Sequence, residues 1–599
     1  MTWAELILSV VKSLVIILFL LNMALLTVWI DRRQSAMVQD RVGPNRAVVY
    51  LNPHVARVLL VAPAILVAAV FSINWWHPAR GIERARVTTA LELAVLVGWI
   101  SLVLLCSHVR KRGADNAFER TVGELDPRHI FYGGLLLHLL VLVVVSVLFD
   151  RLHLPYYDKG GVQWGAGLSG ALAAMVMMFS AFYAASKVPD EKVGLRLAGL
   201  LHGVADPLKL IWKEDLRPKN ADRLLFALAP LLAMFPALVV MGVVPFGPTL
   251  CFEDVNRSGA LEFGDLLSLA GTINRTGVCA AGQLPVSLQV ADLDVGLLYI
   301  FAITGTGIIG AALAGWASDS KFALLGGLRA TSQMVSYEVA LGLAIVPILM
   351  VTGTLHMKEL VDWQAQNTWG IFVQPFAFLL FLTALVAETK RVPFDQPEGE
   401  SEIVAGYFLE YSGMKFGLFF AGEYAEFVFS SVLLTTLFFG GYHLPFLDPD
   451  GIRVAFGSTM VYELPMSHLA VSLLQVAAFF GKVIVVVFLQ VFIRWSLPRF
   501  RYDQLMKLGW TKLLPLALAN IVLTALVMLG VEAGGESLSG ALDVLFDISQ
   551  GVIAVGGLLA AVALVTWLLE PQSTRRLVHS TSARFANAAG GVKPTQMQA

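Results

Sequence analysis

The 599-residue chain is 57% hydrophobic and only 15% charged, and its 43 Lys and Arg residues nearly balance its 44 Asp and Glu residues. So few charges cannot coat a water-soluble domain, in which about a quarter of the residues are charged, and the balance excludes the basic surface of a nucleic-acid-binding protein. The three cysteines allow no disulfide framework and no four-cysteine metal cluster within the chain. The composition predicts an all-α, polytopic helical membrane protein.

Apolar segments long enough to cross a bilayer as helices recur along the chain. About thirteen are predicted, at 10–30, 55–76, 88–108, 130–149, 166–186, 224–245, 294–316, 335–353, 370–388, 416–438, 467–493, 513–532 and 548–569. The first follows a segment with no basic residue and no clear cleavage site, so we expect a retained span. The tail 571–599 is rich in Ser, Thr, Ala and Arg and is predicted to be disordered.

The Lys and Arg residues predict the orientation, because basic residues concentrate in the inner segments of membrane proteins. If the N-terminus is outside and the helices alternate, 31 basic residues fall in inner segments and 9 in outer ones. This split predicts an outer N-terminus and, with an odd number of helices, a cytoplasmic C-terminus.

An acidic segment, residues 388–402 (ETKRVPFDQPEGESE), lies between two apolar helices. A charge run is usually a solvated surface. Here the acidic residues continue into apolar sequence at Glu410, Glu423 and Glu426, where an ionised carboxylate is costly and usually functional. Clustered carboxyl groups cannot all ionise cheaply, so some should hold exchangeable protons. With Glu338, at the start of another predicted helix on the same face, they predict a proton path entered from the inside.

Residues 194–214 are too charged to span a membrane and too apolar for open water. Their Leu, Val and Ile residues fall at helical spacing, with the charged residues elsewhere around the helix. We expect an interfacial amphipathic helix on the inner face, with an ordinary connecting segment as the alternative.

Residues 305–310 (GTGIIG) match the dinucleotide-binding pattern, but they lie inside an apolar helix without the strand and acidic partner that the fold requires. Small residues at this spacing allow helices to pack closely in lipid. The sequence contains no P-loop, no HExxH motif and no Cys/His cluster, so we expect any redox or metal chemistry to be held by a partner.

Several long charged motifs occur in order along the chain. They are residues 31–33 with 39–46 (QDRVGPNR), 205–215 (ADPLKLIWKED), 314–326 (AGWASDSKFALLG), 329–338, 387–424 and 497–505 (LPRFRYDQL). Together they resemble the H-type subunits of NADH-quinone oxidoreductase, which are the channel subunits of respiratory complex I and the counterparts of mitochondrial subunit 1.

The resemblance implies eight spanning helices in a bacterial inner-membrane protein that forms the membrane end of a quinone tunnel and starts a proton-coupling path. Quinone would be the substrate, no cofactor would be bound covalently, and FMN and iron–sulfur clusters would belong to soluble partner subunits. Membrane lipid and neighbouring membrane subunits are the other implied partners, with no nucleic acid.

Two sets of site residues follow from the matched positions. The implied tunnel residues are Asp31, Arg32, Arg41, Asp206, Lys209, Lys213, Arg391, Phe394, Arg499 and Arg501. The implied acidic funnel consists of Glu338, Glu388, Asp395, Glu398, Glu400, Glu402, Glu410 and Glu423.

The chain departs from the family by an insertion of about 150 residues between two motifs that are close in sequence in the family. The insertion contains four predicted helices, and an even number returns the chain to the same face, which predicts a self-contained peripheral bundle. The expected divisions are a first core helix and loop (1–46), the inserted block (47–190), the remaining core (191–532), one extra C-terminal helix (533–570) and the inner tail (571–599). Eight core helices, four inserted ones and one extra helix account for the thirteen.

In the family topology, Cys251 and Cys279 fall in one outer loop. Oxidising conditions there permit a disulfide, and two free thiols are the alternative.

Three other functions stay open at this point. The first is the homologous subunit of an energy-converting hydrogenase or of a ferredoxin- or deazaflavin-linked quinone oxidoreductase, which a different soluble arm would distinguish. A stand-alone ion or solute transporter would favour an internal repeat with broken helices, which is not evident. A purely structural anchor would not need acidic residues in apolar sequence.

Cysteine labelling tests the orientation. We expect single cysteines placed in 109–129, 187–223 and 389–415 to react only from the inside, because these segments carry the basic residues. Labelling of 389–415 from outside intact cells would contradict both the orientation and an inward-opening proton path.

Overall fold

The computed structural model describes residues 2–39, 43–44, 49–58, 199–254, 261–262, 265, 279, 282–449, 451–456, 459–465 and 468–569, with residues 193–195 and parts of 61–65 and 175–186. Three predicted helices, 55–76, 88–108 and 130–149, lie wholly or mostly outside these residues, as do the first part of 166–186 and the tail. The described chain is mostly helical, and the all-α polytopic membrane class is confirmed.

The helices are α1 (Trp3–Val38), α2 (Leu201–Trp212), α3 (Arg223–Val239), α4 (Gly296–Ala317), α5 (Lys321–Thr352), α6 (Met357–Gln366), α7 (Gly370–Val373), α8 (Pro375–Glu388), α9 (Glu400–Ile403), α10 (Gly413–Phe438), α11 (His468–Ser496), α12 (Tyr502–Lys507) and α13 (Leu514–Leu569). Short 3-10 helices follow at Val240–Val243 and Gly406–Phe408, and a π-helical turn, Leu508–Leu513, joins α12 to α13. The strands are β1 (Val49–Leu51), β2 (Val193–Leu195), β3 (Leu250–Glu253), β4 (Gln283–Val286), β5 (Leu447–Asp448), β6 (Gly451–Phe456) and β7 (Thr459–Pro465).

Within the described residues, seven helical segments are long and apolar enough to cross a membrane. They contain α1, α3, α4, α5, α10, α11 and the segment Tyr502–Gly534, and α8 is a shorter apolar helix. In a bilayer, helices satisfy every backbone hydrogen bond internally, which is why apolar sequence of this length folds this way.

Three helices differ from the sequence expectation. Helix α5 begins at Lys321, although hydropathy predicts a start at 335, because its first turns carry Lys321 and Arg329, which lower the hydropathy there. The two helices predicted at 513–532 and 548–569 form the single helix α13, with no break at 533–547. The acidic residues there lower the hydropathy without breaking the helix, and the segment contains no proline. Helix α2 likewise covers only Leu201–Trp212 of the amphipathic stretch expected from 194, because Val193–Leu195 pair as a strand.

The cross-strand pairs are all antiparallel. Strands β1 and β2 pair with Tyr50 opposite Gly194, and β3 and β4 pair with Cys251 opposite Pro285. Strands β5, β6 and β7 form a meander with a register shift at Val454/Ala455.

The chain divides into two compact units, one of residues 1–47 with 196–554 and one of residues 48–195 with 555–599. In the first unit, Gly199 approaches Pro44 so closely that an added Cβ would lie 1.9 Å from the Pro44 carbonyl oxygen. Gly199 has a φ of +90°, which glycine adopts without strain. In the second unit, the β1–β2 pair joins residues 49–51 to 193–195. Within each unit, chain segments more than 140 residues apart in sequence therefore meet.

Cys251 and Cys279 form a disulfide, with their Cα atoms 5.6 Å apart. Of the two alternatives left open by the sequence, the structure has the bridge. On the chain-entropy account, a loop of this size stabilises the fold by about 3 kcal/mol.

A half-buried lysine on α11, Lys482, closes the C-terminal end of α10. The Nζ atom of Lys482 donates hydrogen bonds to the carbonyls of Phe439, Gly441 and His443 and lies 4.3 Å from the centre of the Trp369 ring. These carbonyls follow the last turn of α10, where backbone acceptors lack partners in the helix. Lys482 thereby fixes the C-terminal end of the helix that carries Glu423 and Glu426.

Candidate functional site: a buried charge cluster

Three ion pairs hold the loop between α8 and α10 against the helices around it. The pairs are Lys390–Glu426 (3.1 Å), Arg391–Glu423 (3.1 Å) and Arg499–Asp395 (2.6 Å). Five of these six side chains are mostly or fully buried, and Arg499 is one-third exposed. Paired charges with little solvent access are strongly coupled, so removal of one partner leaves a costly buried charge.

Glu423 links three elements of this cluster. One carboxylate oxygen accepts a hydrogen bond from the hydroxyl of Tyr407 at 2.7 Å, and the other lies 3.1 Å from the Arg391 guanidinium. Burial, and then the charge of Glu423, raises the pKa of Tyr407 well above its usual value. Tyr407 therefore stays protonated and acts as a donor to Glu423.

Burial raises the pKa values of two carboxyl groups in the loop. It raises the pKa of Asp395 to about 6, although Arg499 opposes the shift. Burial, and then the nearby carboxylate of Glu423, raises the pKa of Glu398 well above its usual range. Both groups can therefore hold a proton at a higher pH than an exposed carboxylic acid.

The two cations of the loop remain charged despite their burial. Burial lowers the pKa of Lys390, but the carboxylates of Glu426 and Glu423 raise it by more. For Arg391, burial is likewise outweighed by Glu423, and the pKa is raised. These two positive charges are a fixed part of the site.

Glu388 and Glu338 extend the cluster toward α4. Glu388 is the last residue of α8 and is buried, and its electrostatic neighbours include Glu426 and Glu338. A Cβ added at Gly305 would lie only 2.9 Å from a carboxylate oxygen of Glu338. Gly305 is thus one reason why α4 can pass beside a carboxylate.

The glycines of 305–310 serve helix packing. An added Cβ at Gly310 would lie 2.5 Å from the backbone nitrogen of Ala233 on α3. The whole motif lies inside α4. The packing interpretation fits this geometry, and nothing in it resembles the strand-to-helix turn of a nucleotide site.

A small cavity of about 30 Å³ lies among α3, α4, α5 and α10. Its polar lining consists of Thr304, Lys390, Tyr407, Glu423 and Glu426. A space of this size next to polar groups can hold one or two waters that bridge the carboxylates.

The other acidic residues implied by the sequence lie at the edge of this cluster. Glu402 is exposed and pairs with Arg329 at 2.7 Å. Glu410 is half-buried just before α10, and no ion-pair partner occurs for it among the described residues. Glu400 lies in α9, but its side chain falls outside the described part of the structure.

Asp31, in α1, is a second buried node that joins three helices. Its carboxylate accepts hydrogen bonds from Arg494 (2.6 Å) and Trp495 (2.8 Å) on α11 and from Tyr424 (3.2 Å) on α10. The Arg391 guanidinium lies 4.4 Å from the centre of the Tyr424 ring, within the range of a cation–π contact. Contacts therefore run without a gap from Asp31 through Tyr424 and Arg391 to Glu423.

The remaining tunnel residues are more dispersed. Arg32 pairs with Asp206 of α2 at 2.5 Å, both partly exposed, while Lys209 and Lys213 are exposed on or just after the same helix. Arg41 lies outside the described residues. Phe394 is buried and stacks on Phe500 with ring centres 5.3 Å apart.

Arg499 and Arg501 have different environments although they are two residues apart. Arg499 reaches the buried Asp395, whereas Arg501 pairs with the neighbouring Asp503 at the exposed surface. The first belongs to the charge cluster, and the second is a local surface pair.

Sequence reasoning did not assign several residues that complete the two nodes. They are Tyr407, Tyr424, Lys390, Arg494 and Trp495. A basic residue at the end of a spanning helix, such as Arg494, looks like an ordinary interfacial anchor. For Lys390, a signal was available, since this cation lies within the acidic segment 388–402.

Comparison with known proteins places these features in a family. A family model described as NADH dehydrogenase matches residues 189–525 of the chain. The chain belongs to the H-type family of NADH-quinone oxidoreductase subunits.

Relatives in this family share more than a third of their aligned residues with the chain. An H-type subunit of NADH-quinone oxidoreductase from Cytophaga hutchinsonii is 36% identical over 364 residues, which are 60% of this chain and 94% of the relative. The corresponding protein of Flavobacterium johnsoniae is 38% identical over 365 residues, 59% of this chain and 91% of the relative. One from Geobacter metallireducens is 42% identical over 331 residues, 55% of this chain and 84% of the relative. The chain therefore carries many residues beyond those that it shares with these relatives.

Membership of the family supports a coarse assignment. The relatives are named as subunits of NADH-quinone oxidoreductase. The chain is accordingly a multi-pass membrane subunit of an oxidoreductase complex. A quinone substrate is consistent with membership of this family, and the partners of the chain are other subunits of the complex.

The Asp31 node makes a prediction about stability. Asp31→Asn keeps the side-chain shape but removes the charge that satisfies Arg494, so we expect the solubilised protein to lose about 2 kcal/mol of stability, measured as a lower thermal midpoint. Asp503→Asn is the matched control, since it removes a carboxylate from an exposed pair that contributes little to stability. Equal midpoints for the two variants would contradict a structural role for the node.

Proposed function

We propose that this chain forms the quinone-access tunnel of a proton-pumping NADH-quinone oxidoreductase and the first part of its proton-coupling path. The observation that carries the proposal is the uninterrupted chain of contacts from Asp31 to Glu423, which ends at a carboxylate-lined cavity. The NADH site, FMN and iron–sulfur clusters would lie in soluble partner subunits, so the residues of this chain would bind quinone and move protons.

An apolar path for the quinone tail is supported by α2. Val204, Leu208 and Ile211 of this helix are exposed in the isolated chain, while Arg32 and Asp206 pair beside them. An apolar surface next to a few polar groups suits an isoprenoid tail with a polar headgroup. We therefore place the tunnel mouth between α1 and α2.

Charge balance supports proton exchange in the cluster. Six carboxyl groups lie together, and three of them pair with Lys390, Arg391 and Arg499. The others are Glu338, Glu388 and Glu398, which have no salt-bridge partner among the described residues. Neighbouring carboxyl groups that lack a salt-bridge partner do not all ionise together, so this set can take up and release protons.

Coupling would pass through the fixed cations. Reduction of quinone consumes protons near the tunnel, and a change of charge there would shift the balance at Asp31 and then at Arg391. Because Arg391 stacks on Tyr424 and faces Glu423, a small movement of its guanidinium would change the proton affinity of the cavity carboxylates. Quinone reduction near the tunnel and proton movement at the cavity would thereby depend on the same set of charged residues.

An outer N-terminus agrees with the position of the disulfide. The hydroxyl of Thr2 donates to the carbonyl of Leu261, and the Nζ atom of Lys12 donates to the carbonyl of Ser287, so the start of α1 lies beside the loop that contains Cys251 and Cys279. Bacterial disulfides form outside the cytoplasm. This arrangement supports the orientation that the basic residues predict.

Substitution of Glu398 tests the proton path. The sequence gives no reason to separate Glu398, Glu400 and Glu402, but the structure buries Glu398 among charges and exposes Glu402. We expect Glu398→Gln to lower quinone-linked turnover and pumping about tenfold to a hundredfold, with NADH oxidation by an artificial acceptor retained. Glu402→Gln is the matched control and should stay close to wild type.

The pH dependence of turnover gives this test an expected direction. Since the raised pKa keeps Glu398 protonated below that pKa, wild-type turnover should fall as the pH rises through it. Glu398→Gln should lack this alkaline fall. If Glu398→Gln pumps normally with a wild-type profile, the segment is a solvated loop and the proposal fails.

A further inference from the structure

A single buried amide ties together both ends of the turn that carries Lys390 and Arg391. Gln333 lies on α5 and is fully buried. Its Nε2 atom donates to the carbonyl of Ala387 at 2.7 Å and to the carbonyl of Phe394 at 2.8 Å. Both hydrogens of the amide are therefore used on the two ends of one turn.

The orientation of this amide is fixed by its surroundings. The Oε1 atom of Gln333 is buried and has no hydrogen-bond partner among the described residues. If the amide were turned over, Oε1 would face two carbonyl oxygens, and the two hydrogens would lose both acceptors. A buried acceptor left unsatisfied carries a free-energy cost, and the fold accepts this cost in order to hold the two carbonyls.

The turn between these carbonyls is held away from regular structure. Lys390 has a φ of +55°, a left-handed conformation that a residue with a side chain adopts only when its surroundings impose it. From this turn, Lys390 and Arg391 reach Glu426 and Glu423 on α10. A shift of the turn would move both cations relative to both carboxylates.

A second clamp acts on the far side of the same loop. The backbone N–H of Phe500 donates to the carbonyl of Pro393 at 3.0 Å, and the side chain of Gln396 donates to the carbonyl of Phe500. This second clamp holds the loop from Pro393 onward, whereas the hydrogen bonds of Gln333 hold the two ends of residues 388–392. The amide is thus placed to control the part of the loop that carries the cations.

We propose that Gln333 is a positioning residue, which sets where Lys390 and Arg391 meet the cavity carboxylates and so sets the pH dependence of coupling. The inference rests on the proposed function, because it assigns a positioning residue to that same charge cluster. Gln333 would act through the turn and touch no substrate.

Gln333→Met in the assembled complex tests this role, since Met keeps the volume and removes both donors. Gln364→Met is the matched control. Gln364 is also fully buried, donates to the Thr436 carbonyl and accepts from the N–H groups of Gly370 and Gly440, far from the carboxylates in sequence. We expect Gln333→Met to lower quinone-linked kcat about tenfold and to shift its pH profile, with artificial-acceptor NADH oxidation unchanged. Gln364→Met should leave the pH profile as in wild type.

Hydrogen exchange on the solubilised full-length chain decides the matter if Gln333→Met fails to assemble. The amides of Lys390, Phe394 and Gln396 are hydrogen-bonded within the loop. They should exchange faster in Gln333→Met than in wild type or in Gln364→Met.

Two results would overturn the inference: unchanged exchange at these amides, or an assembled Gln333→Met complex whose kcat and pH profile match those of Gln364→Met. The proposed function is tested separately. If Glu398→Gln loses turnover and Gln333→Met does not, the positioning role alone fails. If neither variant loses turnover, the proposed function fails.

Discussion

The cost of holding carboxylates among apolar helices governs the arrangement of this protein. An ionised carboxylate away from water is stable only with a cation or several donors beside it. Glu423 has both, since Arg391 and Tyr407 approach its two oxygens. Asp31 has three donors from two neighbouring helices. Each buried carboxylate of this kind fixes the relative positions of the elements that supply its partners.

The loop after α8 acquires its shape from the same requirement. It must deliver Lys390 and Arg391 to carboxylates on α10, and it does so through a left-handed residue at Lys390 and a buried amide at Gln333. The segment after α11 then closes the loop, with Phe500 stacked on Phe394. A surface loop of ordinary composition would need none of these contacts.

Much of the fold could be read from the sequence because a bilayer allows few structures. Most of the described spanning helices lie where hydropathy predicts them, and the charged motifs identify the family. The start of α5 and the unbroken α13 could not be predicted in the same way. Hydropathy measures the preference of a segment for lipid, and it does not show whether a helix continues through more polar sequence. The acidic residues were found as a run in the sequence, whereas Arg391 and Arg499 were named only through the family resemblance and Lys390 was not assigned.

The sequence does not show which charged residues pair with one another, because the partners come from distant segments. Arg494 reaches Asp31 across 463 positions, and Arg499 reaches Asp395 across 104. Tyr407 and Tyr424 look like ordinary aromatic residues until they are seen to contact Glu423 and Asp31. Partners this far apart leave no local pattern, so only the folded arrangement reveals them.

A double-mutant cycle between Arg391 and Glu423 tests most directly whether the buried charges depend on one another. The thermal midpoints of solubilised Arg391→Gln, Glu423→Gln and the double variant would be compared with wild type. Each single substitution leaves one buried charge without its partner, at a cost of about 3 kcal/mol, whereas the double substitution leaves two neutral amides. We therefore expect the double variant to melt at a higher temperature than either single variant. A double variant whose loss equals the sum of the two single losses would show that the charges are independent and would contradict this account.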